Sequence, residues 1–448
     1  MEQYLHLYAE PEIAALDDLP DLQPWVNVVV IPACNERPEF LRSPPPCGGR
    51  SLMILVVNES VSAPDWVSSN NLSLANEVQK KFMRLWQPAP DCERSFGLKL
   101  YRDERASRDV LLVDRFSEGR QLPVKGGVGH ARKIGVDLAA CLIHRKRIGS
   151  PWIHCTDGDV RLPETYFTCS NTVESRGPEC SALIYPFYHC DDRGNAAQQE
   201  VVKATQLYEL SLRYYVAGMK YAQSPYAFHT IGSTIAVRAS HYAKVRGFPK
   251  RAAGEDFYLL NKLAKVGTVL ELEKGPDCKP LEIASRRSDR VPFGTGAAVN
   301  KITAFSDPVN DFRFYDPVVF ELLKQWLHTW PEIWQSRSSD LSSSVFAGAS
   351  GNIIQGDKQQ WLVTGLKEIG TEKALDHAFR QSRDLHQFSR QMHTWFDAFR
   401  TLKLIHYLRD HHLSSISYSE LEINPGFGQL LKLDTDLLVF HEYLQQFI

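Results

Sequence analysis

Short apolar runs rich in β-branched side chains alternate along the first half of the chain with longer stretches whose apolar positions recur every three or four residues. Trp25 to Ile31 is such a run, stopped by Pro32, and it reads as a strand buried on both faces. Further runs at Leu52 to Val57, Leu98 to Tyr101, Val110 to Val113, Trp152 to Cys155 and Ala182 to Tyr185 predict more strands. Leu74 to Trp86, His130 to Arg147 and Glu164 to Ser175 carry the helical period between them. This alternation predicts an α/β fold, a mostly parallel sheet with helices on both faces. Pro38, Pro44 to Pro46 and Gly48-Gly49 make the connection between the first two strands long and irregular.

After Arg193 the texture changes. Val201, Thr205, Tyr208, Leu212 and Tyr215 set the three-to-four spacing of a long amphipathic helix over 195–221. From Asp307 onward the chain reads as helical segments at 317–334, 358–369, 372–385, 386–410 and 428–446, with Ser336 to Ser344 as a mobile linker. Residues 1–23 are acidic and lack a strong period, so they read as a leader on the domain surface. The expected organisation is therefore leader 1–23, α/β domain 24–300 and helical C-terminal domain 301–448.

Composition narrows the classes. In 448 residues, 43% hydrophobic and 23% charged, 51 Lys and Arg stand against 53 Asp and Glu for a net charge of −2. That balance suits a globular chain with a sizeable core and argues against a dedicated nucleic-acid binder. The chain shows no long apolar span and no signal-peptide pattern at its start, so a cytoplasmic protein is expected. Nine cysteines without a CxxC pair predict free thiols rather than disulfides or a closed zinc site.

The strongest chemical signal is Thr156-Asp157-Gly158-Asp159 at the end of a predicted strand. Ligands of open α/β sheets bind at the carboxyl ends of strands. Two carboxylates with a glycine between them can turn toward one hard cation, Mg²⁺ or Mn²⁺, which could bridge to a diphosphate. An Asp-x-Asp alone is a common surface turn, but other segments fall in an order that changes its meaning. Ala33-Cys34-Asn35-Glu36 ends the first strand and Asn58-Glu59 the second; Lys125 to Lys133 opens a helix, and Gly254-Glu255-Asp256 follows Gly247-Phe248-Pro249.

That ordered set, over about residues 25 to 270, resembles the family-2 glycosyltransferases and their relatives with the GT-A fold, a Rossmann-like sheet. The resemblance implies a metal-dependent hexosyltransferase using a UDP- or GDP-sugar donor and a hydroxyl acceptor. Residues 24–160 would form the nucleotide-sugar half and 161–300 the acceptor half. It implies that Ala33, Asn35 and Glu36 form the first nucleotide loop, that Asn58 and Glu59 contact the base, and that Arg132 lies beside the nucleotide. Asp157 and Asp159 form the metal and donor motif, with Asp159 the more direct ligand. Asp256 is the acceptor-activating base, Glu255 its neighbour, and Gly232 or Ser233 approaches the acceptor. Deprotonation by Asp256 implies inversion; in a retaining relative the same residue would orient donor or acceptor.

Charge arithmetic supports those roles. At about 4 Å and an effective dielectric of 20, each unit charge pair is worth on the order of 4 kcal/mol, so one metal and one or two arginines suffice for a leaving diphosphate. The resemblance implies a further metal-ligating His near this part of the chain, but none stands between His241 and His328, so Arg286, Arg287 and Arg290 are the candidate diphosphate ligands, with Gly294 and Gly296 permitting close backbone approach. Lys125, before a helix N-terminus, is a further candidate. His154 alternates away from Asp157 and reads as a core residue. Phe320, Leu323, Trp326, Leu327, Trp330 and Trp334 form a stripe that reads as a packing face rather than a membrane anchor, shaping the acceptor pocket or a homodimer contact. Two other classes compete. A nucleotidyltransferase needs a Gly-rich basic loop after the first strand, which Pro32 to Arg37 does not provide. A degenerate sugar-nucleotide-binding protein is suggested by Asn58 and Lys133, where the family carries Asp and Asn, and by the missing His, and opposed by the retained carboxylates.

Overall fold

The run ending near Pro32 forms the middle of the sheet because every one of its strand residues is buried. A computed structural model describes residues 1–41, 48–88, 96–174, 179–191, 196–288, 294–342 and 357–445. The strands are β1 (Val28–Ala33), β2 (Ser51–Asn58), β3 (Met83–Trp86), β4 (Leu98–Asp103), β5 (Arg108–Arg115), β6 (Trp152–Cys155), β7 (Val160–Arg161), β8 (Cys180–Ile184), β9 (Phe187–Cys190), β10 (Ile235–Arg238), β11 (Thr268–Glu271) and β12 (Leu281–Ala284). Nine of them form one sheet in the order β11-β8-β10-β6-β1-β2-β5-β4-β3. Among them only β4 and β10 run against the rest, so the sheet is mostly parallel. A second, small sheet has the order β7-β12-β9.

Helices cover both faces. Val29, Ile31, Met53 and Leu55 pack with Leu74 and Val78 of α2 (Asp65–Lys81) and with Phe167 of α4 (Tyr166–Glu174). Val30 and Val56 point the other way, toward α3 (Gly127–His144). A Cβ at Gly135 would lie 2.4 Å from Val30 Cγ1, so the missing side chain lets α3 lie directly on β1.

The expected helix 74–86 is corrected at both ends. It begins at Asp65, where a polar first stretch hides the apolar period, and stops at Lys81. Met83–Trp86 is instead an edge strand paired antiparallel with β4. The first strand starts at Val28 rather than Trp25, whose indole NH donates to Asp109 at 2.9 Å.

The N-terminal segment is also corrected, because it is built into the core rather than laid over it. Tyr4, Glu12, Ala15 and Leu16 are buried. Tyr4 OH donates to Asp137 at 2.5 Å, Lys133 Nζ donates to Asp137 at 2.8 Å and to Tyr4 OH at 3.0 Å, and the Glu10 backbone NH donates to Asp137 at 2.8 Å. The Glu10 carboxylate meets His130 at 3.0 Å and Lys250 at 2.7 Å. Burial opposes ionisation of Glu10, yet His130 and Lys250 hold its pKa down at about 2. Glu10 of this acidic segment thereby meets His130 of α3 and half-exposed Lys250, while buried Glu12 pairs with Arg115 at 3.2 Å.

By compactness the chain divides into two units, Met1–Val202 with Thr230–Ala298, and Lys203–His229 with Val299–Ile448. The division falls within α5 (Ala196–Tyr221). In the second unit the aromatic stripe is consumed by internal packing. Phe320 lies against Gly218, Trp326 against Trp330 and Phe396, and Trp334 against Phe388. This is the packing face that the spacing predicts. The expected helix 317–334 is two, Val318–His328 and Trp330–Ser336, with Pro331 in the first turn of the second. The expected linker begins at the end of that helix, and its last residues, 343 and 344, lie outside the described set. Among the described residues no helix is long and apolar enough to cross a membrane.

Candidate active site

The chain leaves β1 through a left-handed turn at Asn35, φ 55°, a conformation Asn tolerates better than most residues. Asn35 is fixed there by its backbone NH donating to Asn71 Oδ1 at 2.9 Å and by Asn70 Nδ2 donating to the Asn35 side-chain Oδ1 at 2.7 Å. The next residue, Glu36, accepts both terminal nitrogens of Arg286, at 2.7 and 2.9 Å. Arg286 Nε also pairs with Asp159 at 2.7 Å. Two devices bring these groups together. A side chain at Gly158 would crowd Glu36 and the Phe40 ring, with Cβ contacts of 3.1 and 3.3 Å. The antiparallel pairing of β7 with β12 carries the chain from Asp159 alongside the segment leading to Arg286, and Ala284 NH donates to the Asp159 carbonyl at 3.0 Å.

A second guanidinium joins the remaining acids. Arg132, on the first turns of α3 and only 4% exposed, donates to Asp157 at 2.6 Å and to Glu255. Burial disfavours its charge, but Asp157, Glu255 and Asp256 together raise its pKa above the ordinary arginine value. Glu255 and Asp256 open α7 (Glu255–Leu263) after Gly254, which stands at φ 71°. Carboxylates suit that end of a helix dipole. The loop before α7 lies on the start of α3, where Gly129 NH donates to the Arg251 carbonyl at 3.0 Å. Asp256 is held differently from its neighbours: burial, then repulsion from Glu255, pushes its pKa up to about 7 against the pull of Arg132 and of backbone NH groups.

The structure thus brings Glu36, Asp157, Asp159, Glu255, Asp256, Arg132 and Arg286 into one connected set, five carboxylates against two guanidiniums. Even with Asp256 protonated, the set carries a negative excess.

Gly232 closes against it. A Cβ there would fall 2.0 Å from Arg132 Nη1. Gly232→Ala is therefore expected to displace the guanidinium, costing about 1–3 kcal/mol of stability and weakening any anion bound beside Asp157; chemical denaturation and ligand titration of the variant measure both. Ser233, in the same short turn, is buried.

The other candidates are placed differently. Asn58 Nδ2 donates to the carbonyls of Ala33 and Val56, both at 3.1 Å, tying the ends of β1 and β2 together. Glu59 accepts from Ser68 at 2.8 Å and Asn71 at 3.2 Å. Lys125 and Arg287 are exposed, and Arg290 lies outside the described residues. Lys133 belongs to the N-terminal network, not to this set. His154 is a core residue, with Nδ1 on the Val28 carbonyl at 3.1 Å and burial lowering its pKa to about 4. Sequence reasoning passed over Asn71, fully buried, which links Asn35, Asn58 and Glu59. The available signal was a polar residue on the apolar face of a helical stretch.

Among the described residues no group of three or more His, Cys, Asp or Glu forms a metal cluster. Asp157 and Asp159 offer two hard oxygen donors within a negative set, a donor chemistry that fits a Mg²⁺ or Mn²⁺ ion completed by substrate oxygens and water. Thr156 Oγ1 and Arg132 Nε, at the same junction, are buried without a protein hydrogen-bond partner.

No family model and no curated protein matches the chain. Among solved structures, it is similar to a mannosyltransferase, PcManGT from Pyrobaculum calidifontis, solved in complex with GDP-Man and Mn²⁺. The identity is 14%, the TM-score 0.32, and the match covers 90% of this chain and 95% of that one, a likeness that fixes neither fold nor chemistry.

Proposed function

We propose that the protein is a glycosyltransferase with a GT-A fold, moving a sugar from a nucleotide-diphosphate donor to an acceptor hydroxyl. The observation that carries this reading is Arg132, which joins the Asp-x-Asp segment to the Glu255-Asp256 pair about a hundred residues away in sequence. A transferase needs positive charge at the leaving diphosphate and a carboxylate at the attacking hydroxyl; the two guanidiniums, with a divalent ion offsetting the acidic excess, would supply the first and Asp256 the second. Arg132 and Arg286 are the diphosphate donors. Asp256, with a pKa near neutrality, exchanges a proton with the acceptor hydroxyl at physiological pH. Direct attack assisted by this base inverts the anomeric centre. Asp159, helped by Asp157, would hold Mg²⁺ or Mn²⁺, which when bound neutralises charge on the diphosphate.

A thermal-shift screen of UDP-, GDP- and ADP-sugars, with and without Mn²⁺, tests the reading. One nucleotide should raise the melting temperature, more strongly with the metal; no shift with any of them removes the proposal. Anomeric NMR of the product then checks inversion.

A further inference from the structure

Arg286 uses three nitrogens on two carboxylates that follow the ends of neighbouring strands, Glu36 after β1 and Asp159 after β6. Its immediate neighbour is anchored. Ser285 is buried, its NH donates to the Cys190 carbonyl at 2.9 Å, and its carbonyl accepts from Gln198 at 2.6 Å. The Arg286 side chain itself is 25% exposed. The base of this segment is therefore fixed while the side chain keeps access to solvent.

We propose that Arg286 is a displaceable internal cation. Without ligand it neutralises Glu36 and Asp159. A divalent ion arriving at Asp159 repels the guanidinium and competes for the same oxygens, so Arg286 leaves that carboxylate and turns to the incoming diphosphate, retaining Glu36 as its pivot. Metal entry and donor capture are thereby coupled: the ion releases the arginine that the donor requires. The diphosphate half rests on the transferase reading; the competition at Asp159 does not. A permanent structural tie predicts the opposite response to removal of the arginine, because Asp159 would lose its orientation and bind metal less well.

The test is Mn²⁺ binding to the full-length protein without nucleotide, followed by electron paramagnetic resonance, for the wild type, Arg286→Gln and Arg286→Lys. Loss of the competing charged hydrogen bonds should tighten Mn²⁺ binding about tenfold in Arg286→Gln. Arg286→Lys, a point charge without the planar fork, should fall between. With Mn²⁺ present, the nucleoside diphosphate selected by the thermal-shift screen should bind about tenfold more weakly to Arg286→Gln. Circular dichroism confirms that both variants are folded. An unchanged or weaker Mn²⁺ affinity in Arg286→Gln overturns the proposal, as does absence of Mn²⁺ binding in all three proteins. Nucleotide binding in EDTA separates the failures: retained there, it leaves the transferase reading standing without the exchange. Tighter Mn²⁺ binding with no nucleotide binding at all leaves the exchange standing and removes the transferase.

Discussion

Asp256→Asn is expected to lower kcat about a thousandfold, the usual range for losing a general base, while nucleotide binding changes little. The same variant should be more stable than the wild type above neutral pH. The folded-state pKa of Asp256 is raised to about 7 from an ordinary value of 3.8. Between those values the native protein binds more protons here than the unfolded chain, so this residue's contribution to stability falls as pH rises from about 4 to about 7. Asn carries no charge, and the variant escapes that loss. At pH 8 the gain is on the order of 4 kcal/mol, and it should vanish near pH 4. Denaturant titrations at the two pH values, beside turnover measurements, check both halves. A variant that is less stable at pH 8, or that keeps its turnover, refutes the assigned role.

The second large effect lies away from the site. Asp137→Ala should cost about 3–5 kcal/mol, because Asp137 is fully buried and its loss removes the nearest counter-charge of buried Lys133. Tyr4, Tyr242 and the Glu10 backbone lose an acceptor at the same time. The melting temperature should fall by roughly 10 °C, and the first twenty or so residues should become sensitive to protease. Asp137→Asn keeps an acceptor and should cost less. A loss under about 1 kcal/mol would mean that the network is not a unit.

Legibility in the sequence followed burial. Strands enclosed on both faces, such as β1, β2 and β6, announce themselves as unbroken apolar runs, and α3 shows the matching helical period. Short or half-exposed strands did not: β3 continues a helical-looking stretch, and β7 has two residues. Those omissions matter at the site, since the β7–β12 pairing brings Arg286 to Asp159. Three arginines in one loop were equivalent on paper; β12 ends two residues before Arg286, and Arg287 turns to solvent. Lys133 was similarly ambiguous. One position from Arg132 on a helix, it points to a different face, and its partners lie in a segment with no period of its own. Charge complementarity between distant segments leaves no local trace.

The pairing of β7 with β12 also bears on synthesis. The acidic segment beginning at Asp157 emerges from the ribosome well before the strand that aligns Arg286, and its other counter-charge, Arg132, is shared with Glu255. Until β12 is made, the nascent chain holds a cluster of like charges with only part of its neutralisation, and so cannot settle there. Final assembly of this centre is therefore a late folding event built on long-range contacts, slow by topology and out of reach of any fragment that ends before β12.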